Sequence, residues 1–324
     1  MDVKVLTYNF EIVCVIDDIK ELEYTECFRE AGSLSMRLDF RKEYYKALKT
    51  SNRILLGELI YNIQRVVYRD GEIFVYGVGI FDEFKNNSET LPQPYKMGCY
   101  DMIEYFASKM SFDGIDYEVR GLADYSQTES ELYVWCTDYY SIITQLCFDY
   151  EVGFKIRYDE DKKQLQFIFM RIIDRASSSV PPRIVISDRR ESYDSYESLT
   201  DASDYKNEFR LFQRYPYENE YAMITYSLNK QGETKRVISE FPNIVAISDE
   251  EMNAGLTSYL RELIKRCRKK RSIKVRALCD FECELGDKCY VENTLLEEIE
   301  YAVLVERITT VTGTHSSKTL VLEV

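Results

Sequence analysis

The residues that could do chemistry lie towards the C-terminus. The only histidine, His315, sits in Val311-Thr-Gly-Thr-His-Ser-Ser. A histidine base or metal site would have to be built in that turn-like stretch, where a solvated side chain is the simpler reading. Cys279, Cys283 and Cys289 form the densest thiol group. Structural zinc sites pair their ligands as Cys-x₂₋₄-Cys twice, with turns between them. Here there is no second pair, so buried thiols are the better reading. Lys265-Arg-Cys-Arg-Lys-Lys-Arg271 is the one dense basic run. It could be a nucleic-acid patch, a helix C-terminus whose cations suit the dipole, or a docking site for an acidic neighbour. Lys265, Arg266, Arg268, Lys269, Lys270 and Arg271 are taken forward as a candidate assembly interface. No phosphate-binding loop, dinucleotide turn or nucleophile elbow is present. The 56 carboxylates are too many to single out a catalytic pair.

Elements must position whatever these residues do, and composition bounds those elements. The chain has 324 residues, enough for about two or three domains. Hydrophobic residues make up 45%, ample for a core. Tyrosine is common, at 27 against the single Trp135, and suits half-buried strand faces and interfaces. The net charge of −14 argues against grasping nucleic acid, since binders carry a basic footprint. Acidic walls could still line a channel through which DNA passes without sticking. The nine cysteines, with no export signal at Met1-Asp-Val-Lys-Val, read as reduced thiols of a protein made in the cytosol. No apolar stretch approaches the ~20 residues of a membrane span, and no cofactor is implied.

Along the chain, strand signals dominate both ends. Val3, Val5 and Glu11-Ile-Val-Cys-Val-Ile suggest a hairpin, and Glu21 to Phe28 another strand. Leu34, Met36, Leu38 and Phe40 alternate with polar residues, the cleanest strand period of the sequence. A short helix is expected over Arg41–Thr50. Asp70-Gly71 between apolar runs signals a hairpin. Asp101 and Thr137 are expected to cap two helices, the first with Met102, Ile103, Phe106 and Met110 inward. A hairpin turning at Asp159–Lys163 follows, while 112–127 reads as irregular. The polar stretch 177–204 reads as a boundary, partly a long loop. Strands are expected over Glu208–Phe212, Tyr221–Tyr226 and Thr234–Ile238. Ser248-Asp-Glu-Glu251 is a capping box that should open a helix reaching Arg271. In the last stretch Cys279, Phe281, Cys283 and Leu285 share one parity and Asp280, Glu282 and Glu284 the other, a half-buried strand. Leu285-Gly286-Asp287 is a structural turn, and three apolar runs then close the chain.

This closing pattern of strand, Leu-Gly-Asp turn, strand, Arg-Ile-Thr strand and last strand resembles the C-terminal domain of bacteriophage tail and baseplate hub proteins. Tyr8, Ile16, Asp17, Glu30, Gly32, Leu34 and Leu38 occupy the places of that family's N-terminal pattern, and the helix-then-hairpin unit resembles its middle domain. The resemblance implies an α+β, β-rich fold. Residues 1–90 and 177–324 would be tail-tube-like antiparallel β-barrel or sandwich domains, with a smaller α/β domain at 91–176. It implies a non-enzymatic structural protein: a homotrimeric ring joining a sixfold tail tube to a threefold central spike and leaving a channel. Partners would be the tube or a tube initiator, the spike, and tape-measure and wedge proteins. No sequence-specific nucleic acid and no membrane insertion are expected. The chain would assemble in the bacterial cytoplasm into a phage or phage-tail-like particle. Ending where the second tube-like domain ends, it looks like the stand-alone hub of contractile tails, prophages or bacteriocins. A tail-tip peptidoglycan hydrolase or peptidase and a sixfold distal ring are the alternatives.

Overall fold

A computed structural model of the chain describes residues 3–89, 93–109, 116–121, 129–134, 137–177, 183–203, 206, 208–214, 221–228, 234–238, 270–278 and 282–324. Among these the chain forms two compact units, Met1–Ser198 with Ser272–Val324, and Leu199–Arg271.

The N-terminal half follows its alternation. Strands β1 (Val3–Leu6), β2 (Ile12–Ile16), β3 (Ile19–Cys27) and β4 (Ser33–Asp39) lead to helix α1 (Lys42–Ala47), then β5 (Arg53–Leu56), β6 (Leu59–Arg69) and β7 (Glu72–Gly79). Leu34, Met36 and Leu38 of β4 are buried beside Ile73 and Val75 of β7. Asp70 and Gly71 both take positive φ, the hairpin geometry that Asp-Gly favours. Arg53 is the unexpected core residue. It is 1% exposed, pairs with Glu83 at 2.8 Å, bonds Asn62 and the Tyr8 carbonyl, and lies under the rings of Tyr8 and Phe10.

The middle section runs from β8 (Ser88–Glu89) and β9 (Gln93–Gly98) through α2 (Cys99–Ser108), β10 (Asp116–Arg120), β11 (Glu129–Val134) and β12 (Thr137–Asp138). It continues with α3 (Tyr139–Asp149), β13 (Val152–Asp159), β14 (Gln164–Arg171), β15 (Ile173–Asp174) and β16 (Val185–Ser187). Met102, Ile103 and Phe106 of α2 and Ile142, Ile143, Leu146 and Cys147 of α3 are buried with Phe154, Phe167 and Phe169 of the β13–β14 hairpin. Several expectations need correction. The α2 helix starts after Gly98, which leaves Asp101 in its first turn. The α3 cap is Asp138, whose carboxylate accepts from Ser141 N–H at 2.8 Å, in place of Thr137. The stretch read as irregular contains β10, which pairs in parallel with β14 and so takes its order from a remote partner. Met110 lies outside the described residues.

Next come β17 (Tyr193–Asp201), β18 (Glu208–Arg214), β19 (Tyr221–Leu228) and β20 (Thr234–Ile238). The last three, expected as strands, form an antiparallel sheet of their own. Polar residues 177–204 hold two strands, β16 and β17, where a boundary that is partly a long loop was expected. The polarity of β17 reflects its exposure, since all but three of its nine residues are open to solvent.

The chain closes with β21 (Lys270–Ala277), β22 (Asp287–Asn293), β23 (Glu298–Thr312) and β24 (His315–Glu323). Residues 248–269 of the expected helix lie outside the described residues, but Lys270 and Arg271 belong to β21, so the helix does not reach them. Residues 282–284 are not in a strand, and β22 starts only after the Leu285-Gly286 turn. Here turn and capping hydrogen bonds, not a ladder, satisfy the backbone: Asp287 N–H donates to the Glu284 carbonyl, and Glu284 N–H to the Asp287 carboxylate.

Candidate assembly surface

The largest sheet runs β17-β21-β24-β23-β3-β4-β7-β6-β5-β1-β2. It contains one pattern twice. The N-terminal order is β3-β4-β7-β6-β5, and the C-terminal order is β17-β21-β24-β23-β22. In both, the third and fourth strands in space are a hairpin, and the fifth precedes the fourth in sequence. The second unit is inserted between β17 and β21.

The two halves join edge to edge. β23 pairs antiparallel with β3 from Glu306↔Cys27 to Thr312↔Glu21. The first part of the same β23 edge, Glu298–Val303, is taken by β22. A side chain across a ladder shares its partner's face, so registers trace one continuous solvent-facing surface. It carries Lys274 and Arg276 of β21, Thr310 and Ile308 of β23, Glu21 and Glu23 of β3, Ser35 and Arg37 of β4, and Phe74 and Tyr76 of β7. Its charges are largely matched. Arg37 pairs with Glu21 at 3.2 Å and Glu72 at 3.5 Å, Lys20 with Asp39 and Glu72 at 2.7 Å each, and Arg276 with Asp194 at 2.6 Å. Thr310 donates to Glu23 across the junction. These exposed pairs hold register and polarity more than stability.

Behind the junction sits Phe28, fully buried, an N-terminal residue packed into the C-terminal core with Ile273, Leu285, Val291 and Leu304. Its N–H donates to the Val305 carbonyl at 2.8 Å, and its carbonyl accepts from Phe154 N–H at 2.7 Å. Two glycines make room for its ring. Gly153 lies so close that a Cβ there would overlap it. At Gly286 a Cβ would stand 2.5 Å from the ring, and φ is +90°. The Leu285-Gly286-Asp287 turn is therefore a socket for Phe28. Asp287 is 1% exposed and pairs with Arg175 at 3.2 Å; burial holds its carboxyl above the usual range. Sequence reading found the turn and missed Phe28, which looks like one more strand residue.

The remaining candidates fall elsewhere. His315 is exposed and faces Thr312 across the Gly313-Thr314 turn, as expected. Cys283 and Cys289 are buried, Cys279 lies outside the described residues, and burial pushes the Cys283 and Cys289 thiols up. Cys27, at the junction, is pushed up to about 12 by burial and nearby carboxylates, so it is a protonated thiol at neutral pH. Lys265, Arg266, Arg268 and Lys269 of the basic run lie outside the described residues. Lys270 is exposed and Arg271 half-buried in β21. No helix among the described residues is long and apolar enough to cross a membrane.

Neither a family model nor a curated protein matches the sequence. Solved structures do match. A tail protein from Neisseria meningitidis MC58 is 11% identical with a TM-score of 0.61, over 100% of this chain and 96% of that one. The prophage MuSo2 43 kDa tail protein from Shewanella oneidensis is 10% identical with a TM-score of 0.57, over 99% and 98%. A chain of the lidded Francisella PdpA–VgrG complex is 11% identical with a TM-score of 0.53, over 99% of this chain and 52% of that one. The chain thus shares its β-rich fold with these tail proteins, as the sequence resemblance implied.

Proposed function

We propose that this chain is a tail hub: a non-catalytic structural protein of which three copies form a ring between a sixfold tube and a threefold spike. One observation carries the reading. Within a single chain, the edge of β23 beyond its β22 pairing receives β3, the outermost strand of the five-strand order in the other half. The equivalent edge of β6 pairs β5 over Leu59–Asn62, and Val66–Arg69 have no second strand partner among the described residues. That edge is where β17 of the next copy would add, since β17 holds the place in its half that β3 holds in the other. The contact is head-to-tail, and such contacts close rings. Three copies then supply six like positions, which matches a sixfold tube.

The fold shared with tail proteins and with a chain of a PdpA–VgrG complex supports tube and spike partners, with tape-measure and wedge proteins further out. The matched charges of the solvent-facing sheet suit a lumen wall that neither binds nor repels DNA strongly. Assembly in the bacterial cytoplasm into a phage or phage-tail-like particle belongs to the same proposal, as does the division into domains at 1–90, 91–176 and 177–324. Particle cryo-electron microscopy tests the ring. Three copies per particle, with β6 beside β17 of the next copy, is the expected result. Six copies would make the chain a distal ring protein. Release of peptidoglycan fragments by the purified chain would replace the structural role with an enzymatic one.

A further inference from the structure

Registers place the β6–β7 turn and the β23–β24 turn on one rim of the sheet. Asp39 faces Glu72 beside the first turn, Glu21 faces Thr312 beside the second, and Gly313 N–H donates to the Lys20 carbonyl. The rim is therefore one surface crossing both halves, yet the halves end differently. The C-terminal half ends in Thr312-Gly-Thr-His315, small and polar, all exposed. The N-terminal half ends in three aromatic rings. Phe40, Tyr45 and Tyr68 are 44%, 47% and 54% exposed. Their centroids lie 4.9 Å (Phe40–Tyr68), 5.9 Å (Phe40–Tyr45) and 6.3 Å (Tyr45–Tyr68) apart. Mutual edge contacts and the Phe40 N–H bond to Gly71 hold the rings in place, so seating a partner on them costs little side-chain entropy.

We propose that the Phe40, Tyr45 and Tyr68 platform is the seat of a threefold-symmetric protein partner, an inference that rests on the three-copy ring. In such a ring this rim alternates aromatic and polar ends, so it repeats three times and not six. A sixfold partner would meet an apolar platform at only half its positions, leaving the others mismatched. A threefold partner meets a platform at every contact. Its chemistry follows from the surroundings: around Tyr45 the exposed Lys42, Lys46 and Lys49 outnumber the exposed Glu43, on a chain whose net charge is −14. The complementary surface is acidic around an apolar anchor.

Site-specific photocrosslinking in assembled particles tests this. A benzoylphenylalanine replaces Tyr45 in one preparation and Thr314 in another, and crosslinked partners are identified and counted by mass spectrometry. The expected result is a Tyr45 crosslink to a different protein present in three copies, absent or several-fold weaker from Thr314. Crosslinking to a tube subunit present in multiples of six, to another copy of this chain, or equally from both positions would overturn the proposal. The copy number of this chain is read from the same sample. Six would sink the ring itself, whereas three copies with the wrong Tyr45 partner would sink only the seat.

Discussion

Gly286→Ala separates two physical costs that usually arrive together. At φ +90° any Cβ-bearing residue is strained, and a left-handed conformation costs it about 1–2 kcal/mol. The added methyl would also stand 2.5 Å and 2.9 Å from two carbons of the Phe28 ring, and overpacking of this kind costs about 1–3 kcal/mol. The variant should therefore lose about 2–5 kcal/mol, a large part of the ~5–15 kcal/mol that holds a typical domain. Gly313→Ala is the control. Its φ is +59° with nothing within 4 Å of the new Cβ, so only the backbone cost applies. Phe28→Ala alone should cost about 3–5 kcal/mol, and it also empties the space the Gly286 methyl would need. The double variant should then be more stable than the sum of the singles predicts, by a coupling of about 1–3 kcal/mol. Urea unfolding followed by circular dichroism measures the four variants against wild type. If Gly286→Ala matched Gly313→Ala, or the cycle showed no coupling, the socket account of the Leu285-Gly286-Asp287 turn would be refuted.

Further expectations follow from other sites. Burial raises the Glu306 carboxyl at the junction, against the opposing pull of Lys274. A raised folded value means its favourable contribution is present at acid pH and is lost as pH rises through that value. Glu306→Gln should therefore gain on wild type between acid and neutral pH; urea midpoints with a pH-independent difference would contradict this. Arg53→Ala leaves Glu83 without its buried partner and should cost about 3–5 kcal/mol in the same assay; a loss below ~1 kcal/mol would mean the site rehydrates freely. Replacing Lys270, exposed in β21 at the end of the basic run, by Glu should shift stability by no more than the ~1 kcal/mol of an exposed charge and reduce particle yield. Tight binding of duplex DNA by wild type at physiological salt would reassign that run.

Local signals carried much of the fold. The alternation from Ser33 to Phe40, the Asp70-Gly71 turn and the Phe154–Phe169 hairpin are written in nearest neighbours, and the structure has them where expected. The errors cluster where order comes from afar. β10 and β17 are polar, and exist because β14 and β21 offer them ladders. Residues 282–284 alternate like a strand, yet form no ladder among the described residues. At the candidate surface, the glycine of the socket was legible because few residues other than glycine fit such a turn. Phe28 was not, because nothing in a local run of Glu-Cys-Phe-Arg says that its ring will cross into the other half. Nor was the aromatic platform, which joins Phe40 and Tyr45 to the distant Tyr68. The edge that joins β3 to β23 spans almost the whole sequence and has no local signature at all.

The insertion between β17 and β21 has a consequence for how such a chain can change. Two neighbouring strands stand about 4.8 Å apart, so whatever leaves the end of β17 must return almost to the same point. Any autonomous module with adjacent termini meets that demand, and the closure entropy of a longer one grows only logarithmically with its length. The rest of the C-terminal half is continuous in sequence from β21 to β24. The strands that would form the ring are thereby insulated from the connection: a change in the length of the segment between β17 and β21 leaves their pairing untouched.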